Sequence, residues 1–161
     1  MSTVLIADDD ADHRVLLALA LQWAGHDVVT AEDASGAMAA LAAGGIDAAL
    51  LDVRMPGGDG IELCRRLRAE PATAPLPVML ISADVNDQRI LAALLAGADD
   101  YLTKPFHRAE LRARLDTMLR RPSAEQATRS AAAASVAGRA ATQAVRSAAR
   151  HAPEPRHRDT A

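Results

Sequence analysis

The stretch between Ile46 and Gly60 constrains the fold of this chain more than any other. It opens with a continuous apolar run, Ala48 to Leu51, and ends abruptly in the carboxylate of Asp52. An apolar run without alternation is typical of a strand buried on both faces, as in a parallel sheet covered by helices. The residues that follow, MPGGDG, are too rich in glycine and proline for either element. We therefore expect Asp52 at the carboxyl end of a buried strand, where open α/β sheets bind ligands.

A strand followed by a helix is predicted five times before residue 121. The predicted strands cover residues 3–7, 27–31, 48–52, 78–82 and 101–102, and the predicted helices cover 12–24, 34–43, 61–68, 87–96 and 107–120. This alternation is typical of an α/β fold with a parallel sheet, and right-handed crossovers leave few topologies. In the first helix a 3.6-residue period predicts the apolar face, formed by Leu16, Leu19, Ala20 and Trp23.

Composition argues against several classes of protein. The single cysteine, Cys64, allows no internal disulfide, which fits the cytoplasm, and we interpret it as an apolar filler of its helix. No segment resembles a signal peptide or reaches the roughly 20 apolar residues of a membrane span, so no membrane partner is expected. The five histidines show no metal-ligand spacing. Residues 1–121 carry a net charge of −6, which argues against direct nucleic-acid binding there.

The sequence changes in character after residue 121. Residues 122–161 are dominated by Ala, Ser, Thr, Arg and Pro. Ser123 and Gln126 have the spacing of a helix capping box, and the alanines that follow favour helix. We expect a partly helical tail that becomes disordered beyond Pro153, and no second folded domain. The predicted division is therefore a domain at 1–121 and a tail at 122–161.

Residues with distinctive chemistry follow four of the five predicted strands. Asp8 and Asp9 follow the first strand, Asp52 ends the third, Ser82 ends the fourth and Lys104 follows the fifth. Because the carboxyl ends of parallel strands meet at one edge of a sheet, these side chains should converge. Lys104 is the only lysine among 18 basic residues, so the chain places a compact ammonium here and uses arginine elsewhere. Taken singly, each residue could also be a helix cap or a solvated charge.

Such a cluster has the parts needed for phosphoryl transfer to a carboxylate. Three neighbouring carboxylates would retain protons unless a cation joins them, and an all-oxygen site with room for water suits Mg²⁺. The metal and Lys104 would neutralise an incoming phosphoryl group, and the Ser82 hydroxyl can donate to one of its oxygens. Asp52 would then be the nucleophile.

Together these motifs resemble the receiver domain of two-component response regulators, over most of the chain. The matching positions are the acidic pair Asp8-Asp9, the phosphoacceptor Asp52, the switch hydroxyl Ser82, the aromatic switch position Tyr101 and the lysine-proline Lys104-Pro105. The resemblance implies a flavodoxin-like, doubly wound sheet of five parallel strands in the order 2-1-3-4-5, with helices on both faces.

The resemblance also implies how a metal is held. Mg²⁺ would be bound by Asp9, Asp52 and the backbone carbonyl of Arg54, with Asp8 acting through water. The Lys104–Pro105 peptide bond would be cis, which is uncommon enough to mark a functional feature.

A switch and a lifetime control follow from the same resemblance. Phosphorylation would draw Ser82 towards the phosphoryl oxygens and Tyr101 inward, and it would reshape the surface of the fourth helix, fifth strand and fifth helix. Arg54 and Asp84, two residues after Asp52 and Ser82, would flank the path of attacking water.

The function predicted from the sequence is a single-domain response regulator rather than an enzyme with an external substrate. Asp52 would take a phosphoryl group from a histidine kinase or a histidine phosphotransfer protein by a self-catalysed reaction. The output would be binding to a downstream protein, with dimerisation on phosphorylation left open. One alternative is an Mg²⁺-dependent phosphohydrolase, but such enzymes usually carry an acid where this chain has Arg54. Another is a DNA-associated regulator that uses the arginines of the tail, although no recognition helix is predicted.

Overall fold

The computed structural model describes residues 1–120, in which five parallel strands alternate with five helices. The sheet order is β2-β1-β3-β4-β5, so the predicted fold class and strand order are confirmed. The predictions for the tail lie outside the described residues. Within residues 1–120, no helix has the length and apolar character to cross a membrane. The elements are β1 (Thr3–Ala7), α1 (Ala11–Trp23), β2 (Asp27–Ala31), α2 (Ala34–Ala43), β3 (Ala48–Asp52), α3 (Gly60–Ala69), β4 (Val78–Ser82), α4 (Asp87–Leu95), β5 (Asp100–Thr103) and α5 (Arg108–Arg120).

The sheet is covered on both faces, and β3 and β4 are buried along their whole length. Successive strand residues point to opposite faces, so Leu50 packs with α1 and α5 whereas Leu51 packs with α2, α3 and α4. This arrangement explains why the two central strands are apolar without alternation. Cys64 is fully buried on the same side of the sheet as Leu51. Burial raises the pKa of its thiol to about 11, which confirms its interpretation as an apolar filler.

The predicted apolar face of α1 is wrong. Leu17 and Leu21 are buried, whereas three of the four predicted residues are exposed, by 64% at Leu16, 41% at Leu19 and 73% at Trp23. The sequence is apolar at every position from 15 to 21, so more than one stripe fits a helical period. The pattern therefore predicts the helix but not its rotation about its axis.

Four helices begin at the carboxyl edge of the sheet with a short polar cap. The side chains of Asp10, Asp33, Asp59 and Asn86 each accept a hydrogen bond from a backbone amide in the first turn. One of the three consecutive acids after β1 is thereby accounted for, because Asp10 caps α1.

Candidate functional site at the carboxyl edge of the sheet

Asp52 lies at the tip of β3, and the loop that follows returns to it. The amide of Gly60 donates to the carbonyl oxygen of Val53 at 2.9 Å. A Cβ on Gly60 would lie 2.3 Å from the backbone oxygen of Asp52, so only glycine fits this close return. Met55 anchors the loop, because its side chain is buried in the core. The loop that is rich in glycine and proline therefore packs closely against the carboxylate.

One ammonium group lies between two buried carboxylates. The Nζ atom of Lys104 donates to Asp52 Oδ2 at 2.9 Å and lies 3.5 Å from Asp8 Oδ2. The other oxygen of Asp52 accepts from the amide of Arg54 at 3.0 Å. Lys104 is fixed at the end of β5, where its amide donates to the Ser82 carbonyl at 2.8 Å and its peptide to Pro105 is cis. The structure thus brings Asp8, Asp52 and Lys104 together.

A histidine completes this cluster. Asp8 Oδ1 accepts from the amide of Asp10 at 2.9 Å, and Asp8 Oδ2 is hydrogen-bonded to Nδ1 of His13, on the first turn of α1. One ligand atom from each of Asp8, His13 and Asp52 lies within 4.8 Å of the others. The absence of metal-ligand spacing among the histidines in the sequence therefore gave no sign that His13 lies at this cluster. A separation of five residues is not a metal motif, but α1 starts so close to the tip of β1 that its first turn faces the same edge.

The two carboxylates have pKa values shifted in opposite directions. Burial raises the pKa of Asp52, and the hydrogen bonds from Lys104 and the Arg54 amide offset only part of that effect. Burial acts on Asp8 in the same direction, but donation from His13 and Asp10 and the charge of Lys104 hold the pKa of Asp8 below its ordinary value. The surroundings therefore favour the ionised form of Asp8 and disfavour the ionised form of Asp52.

An open cleft of about 610 Å³ lies beside the cluster. Asp9 is exposed at its rim, so it does not join the buried carboxylates directly. Arg54 and Asp84 face each other across it, with 3.9 Å between Nη2 and Oδ2, and the Arg54 side chain is 80% exposed. The lining residues are Asp9, Asp10, Asp52, Arg54, Ser82, Ala83, Asp84, Val85 and Lys104.

Ser82 and Tyr101 are both connected to the backbone of Asp84. The hydroxyl oxygen of Ser82 is buried and accepts from the Asp84 amide at 3.0 Å, while the Tyr101 hydroxyl donates to the Asp84 carbonyl at 2.9 Å. Tyr101 is only 9% exposed, so its ring is already inward in this structure. The predicted inward movement of Tyr101 on phosphorylation therefore does not apply to a protein that starts from this conformation.

The donors at this edge fit a hard divalent cation. The carboxylates of Asp8, Asp9 and Asp52 and the carbonyl of Arg54 supply oxygen atoms, the ligands that Mg²⁺ prefers. Two buried carboxylates share one ammonium, and burial raises the pKa of Asp52 despite that ammonium, so a further cation would stabilise its ionised form. The residues therefore fit Mg²⁺.

Comparison with known proteins identifies the family. The chain matches the model of the response regulator receiver domain over residues 4–116. It belongs to that family. Receiver domains are the phosphoacceptor parts of two-component signalling proteins: they are phosphorylated by histidine kinases, bind Mg²⁺ in an acidic pocket and act on downstream targets.

Two curated relatives show the same resemblance along the sequence. The phosphate regulon transcriptional regulatory protein PhoB of Pseudomonas aeruginosa is 42% identical over 119 residues, covering 74% of this chain and 52% of that protein. The transcriptional regulatory protein TcrA of Mycobacterium tuberculosis is 44% identical over 118 residues, covering 73% of this chain and 46% of that protein. The chain thus spans about half the length of the curated relatives it matches.

Solved structures agree with the fold. A two-component response regulator from Clostridium difficile superposes with a TM-score of 0.71 at 31% identity, covering 75% of this chain and 98% of that one. The chemotaxis protein CheY4 of Vibrio cholerae superposes with a TM-score of 0.70 at 28% identity, covering 73% of this chain and 98% of that one. The receiver fold and the family are thus supported by structure as well as by sequence.

Proposed function

We propose that Asp52 of this receiver accepts a phosphoryl group from the phosphohistidine of a cytoplasmic histidine kinase or phosphotransfer protein, with Mg²⁺ in the acidic pocket. The observation that carries the proposal is the single ammonium of Lys104 between two buried carboxylates, 2.9 Å from Asp52 and 3.5 Å from Asp8. Burial raises the pKa of Asp52 despite this ion pair, and the carboxylate lies beside an open cleft, a combination typical of functional sites.

The chemistry is a displacement at phosphorus. A carboxylate oxygen of Asp52 forms a bond to phosphorus while the P–N bond to the donor's imidazole breaks, and the leaving imidazole takes its proton from solvent. Bound Mg²⁺ supplies positive charge that offsets repulsion between the pocket and the phosphoryl oxygens. Lys104 can exchange Asp8 for a phosphoryl oxygen by a small movement of its flexible side chain. Ser82 can donate its proton to another, because a hydroxyl donates and accepts at once.

The output depends on Asp84, whose backbone is the common partner of Ser82 and Tyr101. If the Ser82 hydroxyl turns towards the phosphoryl group, it gives up the amide of Asp84 at 3.0 Å. The same peptide segment holds the Tyr101 hydroxyl at 2.9 Å, so the loop between β4 and α4 shifts with it. The surface of α4, β5 and α5 then changes and binds a downstream protein, and light scattering would show whether this partner is a second copy.

Labelling with a small phosphodonor tests the proposal. Incubated with Mg²⁺ and acetyl phosphate, the protein should gain one phosphoryl mass, and Asp52→Asn should abolish the gain. Asp47→Asn is a matched control, since Asp47 is an exposed acid just before β3, at the opposite end of the strand from the site. Full labelling of Asp52→Asn, with the Asp47→Asn protein also labelled, would show that the nucleophile lies elsewhere.

A second output is suggested by two relatives whose names describe transcriptional regulatory proteins, PhoB and TcrA. By this alternative the protein acts on DNA, and the six arginines between residues 122 and 161 are the candidate contacts. Mobility shifts across a range of salt concentrations, on the full chain and on a chain ending at 121, distinguish the two outputs. DNA binding that is lost with the tail would favour this alternative.

The division of the chain belongs to the proposal as well. We take residues 1–121 as the receiver unit because residues 122–161 offer few large apolar side chains for a core. Deleting 122–161 should therefore change the free energy of unfolding by less than about 1 kcal/mol and leave labelling intact. A loss of several kcal/mol in urea unfolding would contradict this division.

A further inference from the structure

His13 gives the acidic pocket a nitrogen ligand atom, which an all-oxygen magnesium site does not use. Its Nδ1 atom is hydrogen-bonded to Asp8 Oδ2, and its ring packs edge-on to Phe106 with 6.1 Å between ring centroids. The side chain is 21% exposed, so the ring is held in place yet reachable from solvent. One ligand atom each from His13, Asp8 and Asp52 lies within 4.8 Å of the others, which is close enough for all three to contact one ion.

The chemistry of this donor set differs from that of the predicted Mg²⁺ ligands. Imidazole nitrogen with two carboxylates is a set that suits Zn²⁺, Co²⁺ and other first-row transition ions, whereas Mg²⁺ prefers oxygen and retains its waters. The set spans three elements of the fold: Asp8 follows β1, His13 lies on α1 and Asp52 ends β3. It is therefore built by the fold rather than by a run of acids along the chain.

Lys104 occupies the place where such an ion would bind. Its ammonium contacts Asp52 Oδ2 and Asp8 Oδ2, and the Asp8 oxygen is also the one that is hydrogen-bonded to His13. Two cations at these atoms would repel each other, so an ion held by His13 would displace the lysine into the cleft.

We propose that Asp8, His13 and Asp52 form a second divalent site that takes a transition ion such as Zn²⁺ and excludes Lys104 from Asp52 while it is bound. The site shares Asp8 and Asp52 with the predicted Mg²⁺ site and differs from it by the imidazole of His13, which makes the pocket responsive to a second class of metal. Binding of the ion does not depend on the proposed phosphoryl transfer. Failure of one proposal would therefore leave the other standing.

The test uses the full chain and Zn²⁺ alone, measured by competition with a chromogenic chelator. His13→Gln keeps an amide donor for Asp8 and removes the imidazole nitrogen, and His13→Leu repeats the test with an apolar side chain. Each should weaken the tightest Zn²⁺ site by about tenfold or more, since even partners outside the ligand shell are worth that much. His107→Leu, which removes an exposed histidine just before α5, should leave this site intact.

Two further measurements separate a ligand from a structural role. Mg²⁺ affinity should change by less than about threefold in His13→Gln, because Mg²⁺ does not need nitrogen. Lys104→Met should tighten Zn²⁺ binding severalfold, since the competing ammonium is gone. Equal Zn²⁺ affinity in wild type and both His13 variants would overturn the site, and so would weaker Zn²⁺ binding in Lys104→Met. A parallel loss of Zn²⁺ and Mg²⁺ in His13→Gln would show instead that His13 only orients Asp8.

Discussion

Two buried ion clusters lie at opposite edges of the same sheet, and they are built differently. At the amino edge, Arg68 of α3 donates to Asp99 at 2.9 Å and to the carbonyls of Gly97, Ala74 and Leu76 at 2.9, 3.0 and 2.6 Å. Asp99 also accepts from the first amide of β4 at 2.8 Å. One positive charge faces one negative charge, and the guanidinium directs its donors at fixed acceptors.

The cluster at the carboxyl edge is arranged differently. Lys104 serves both Asp8 and Asp52, and the pKa of Asp52 remains raised. The difference teaches that burial alone does not distinguish a structural ion pair from a functional one. An ion pair with filled hydrogen bonds holds elements together, whereas a carboxylate whose ionised form is disfavoured by burial, beside an open cleft, can gain from an added cation.

The largest effect is expected when the ion cluster at the amino edge is broken. Arg68→Ala should lower the free energy of unfolding by about 3 kcal/mol, because it strips several buried acceptors of their donor at once. The Arg68 side chain is 16% exposed, so solvent can replace little of what is lost. Urea unfolding at neutral pH measures the change.

Arg66 provides the matched control on the same helix. It is exposed, and Arg66→Ala should change the free energy of unfolding by less than about 0.5 kcal/mol. If the two variants lost the same stability, the amino-edge cluster would stabilise the fold no more than an exposed arginine does, and the contrast between the edges would fail.

The sequence predicted the carboxyl edge better than the amino edge for a physical reason. Strand tips are visible in the sequence, since an apolar run ends in a polar residue, and a parallel sheet forces the tips of β1, β3, β4 and β5 together. Arg68 and Asp99 lie outside the strands, 31 residues apart, so their pairing depends on how α3 packs. The rotation of α1 was missed for the same reason, and with it the placement of His13, because helix packing is not encoded in periodicity when most of a helix is apolar.

In the cluster at the carboxyl edge, Asp8 and Asp52 should change the stability of the fold with pH in opposite directions. The pKa of Asp8 is lowered in the folded protein, so its ionised form stabilises the fold above the ordinary Asp pKa of about 3.9, and that contribution is lost as the pH falls through the lowered value. Asp8→Asn should therefore be less stable than wild type at pH 7, by about 1–2 kcal/mol, with the gap closing in acid.

Asp52 should behave in the reverse sense. Its pKa is raised in the folded protein, so ionisation weakens the fold as the pH rises through the raised value. Asp52→Asn should be as stable as wild type in acid and more stable at pH 7, by less than about 1 kcal/mol. Urea midpoints of both variants at pH 7 and in acid give the signs. A stability loss at pH 7 in Asp52→Asn would place this carboxylate among structural ion pairs and remove the contrast between the two edges.

The smallest effect concerns Arg54 and Asp84 at the mouth of the cleft. Their charged groups are 3.9 Å apart and the Arg54 side chain is 80% exposed, so as an exposed pair they contribute about 0–1 kcal/mol to stability. A weak pair can still obstruct a path, because a several-fold rate change needs less than about 1.4 kcal/mol.

We expect Arg54→Ala to shorten the phosphoryl half-life several-fold by opening the approach for water. Asp84→Asn, which keeps an acceptor for the Asn86 amide, should act in the same direction if the pair itself is the obstacle. Arg65→Ala is the matched control, since Arg65 pairs with Glu62 on the exposed face of α3. Labelled protein freed of donor and followed in Mg²⁺ gives the decay rate. Unchanged decay in both cleft variants would leave Arg54 with only its backbone at the site.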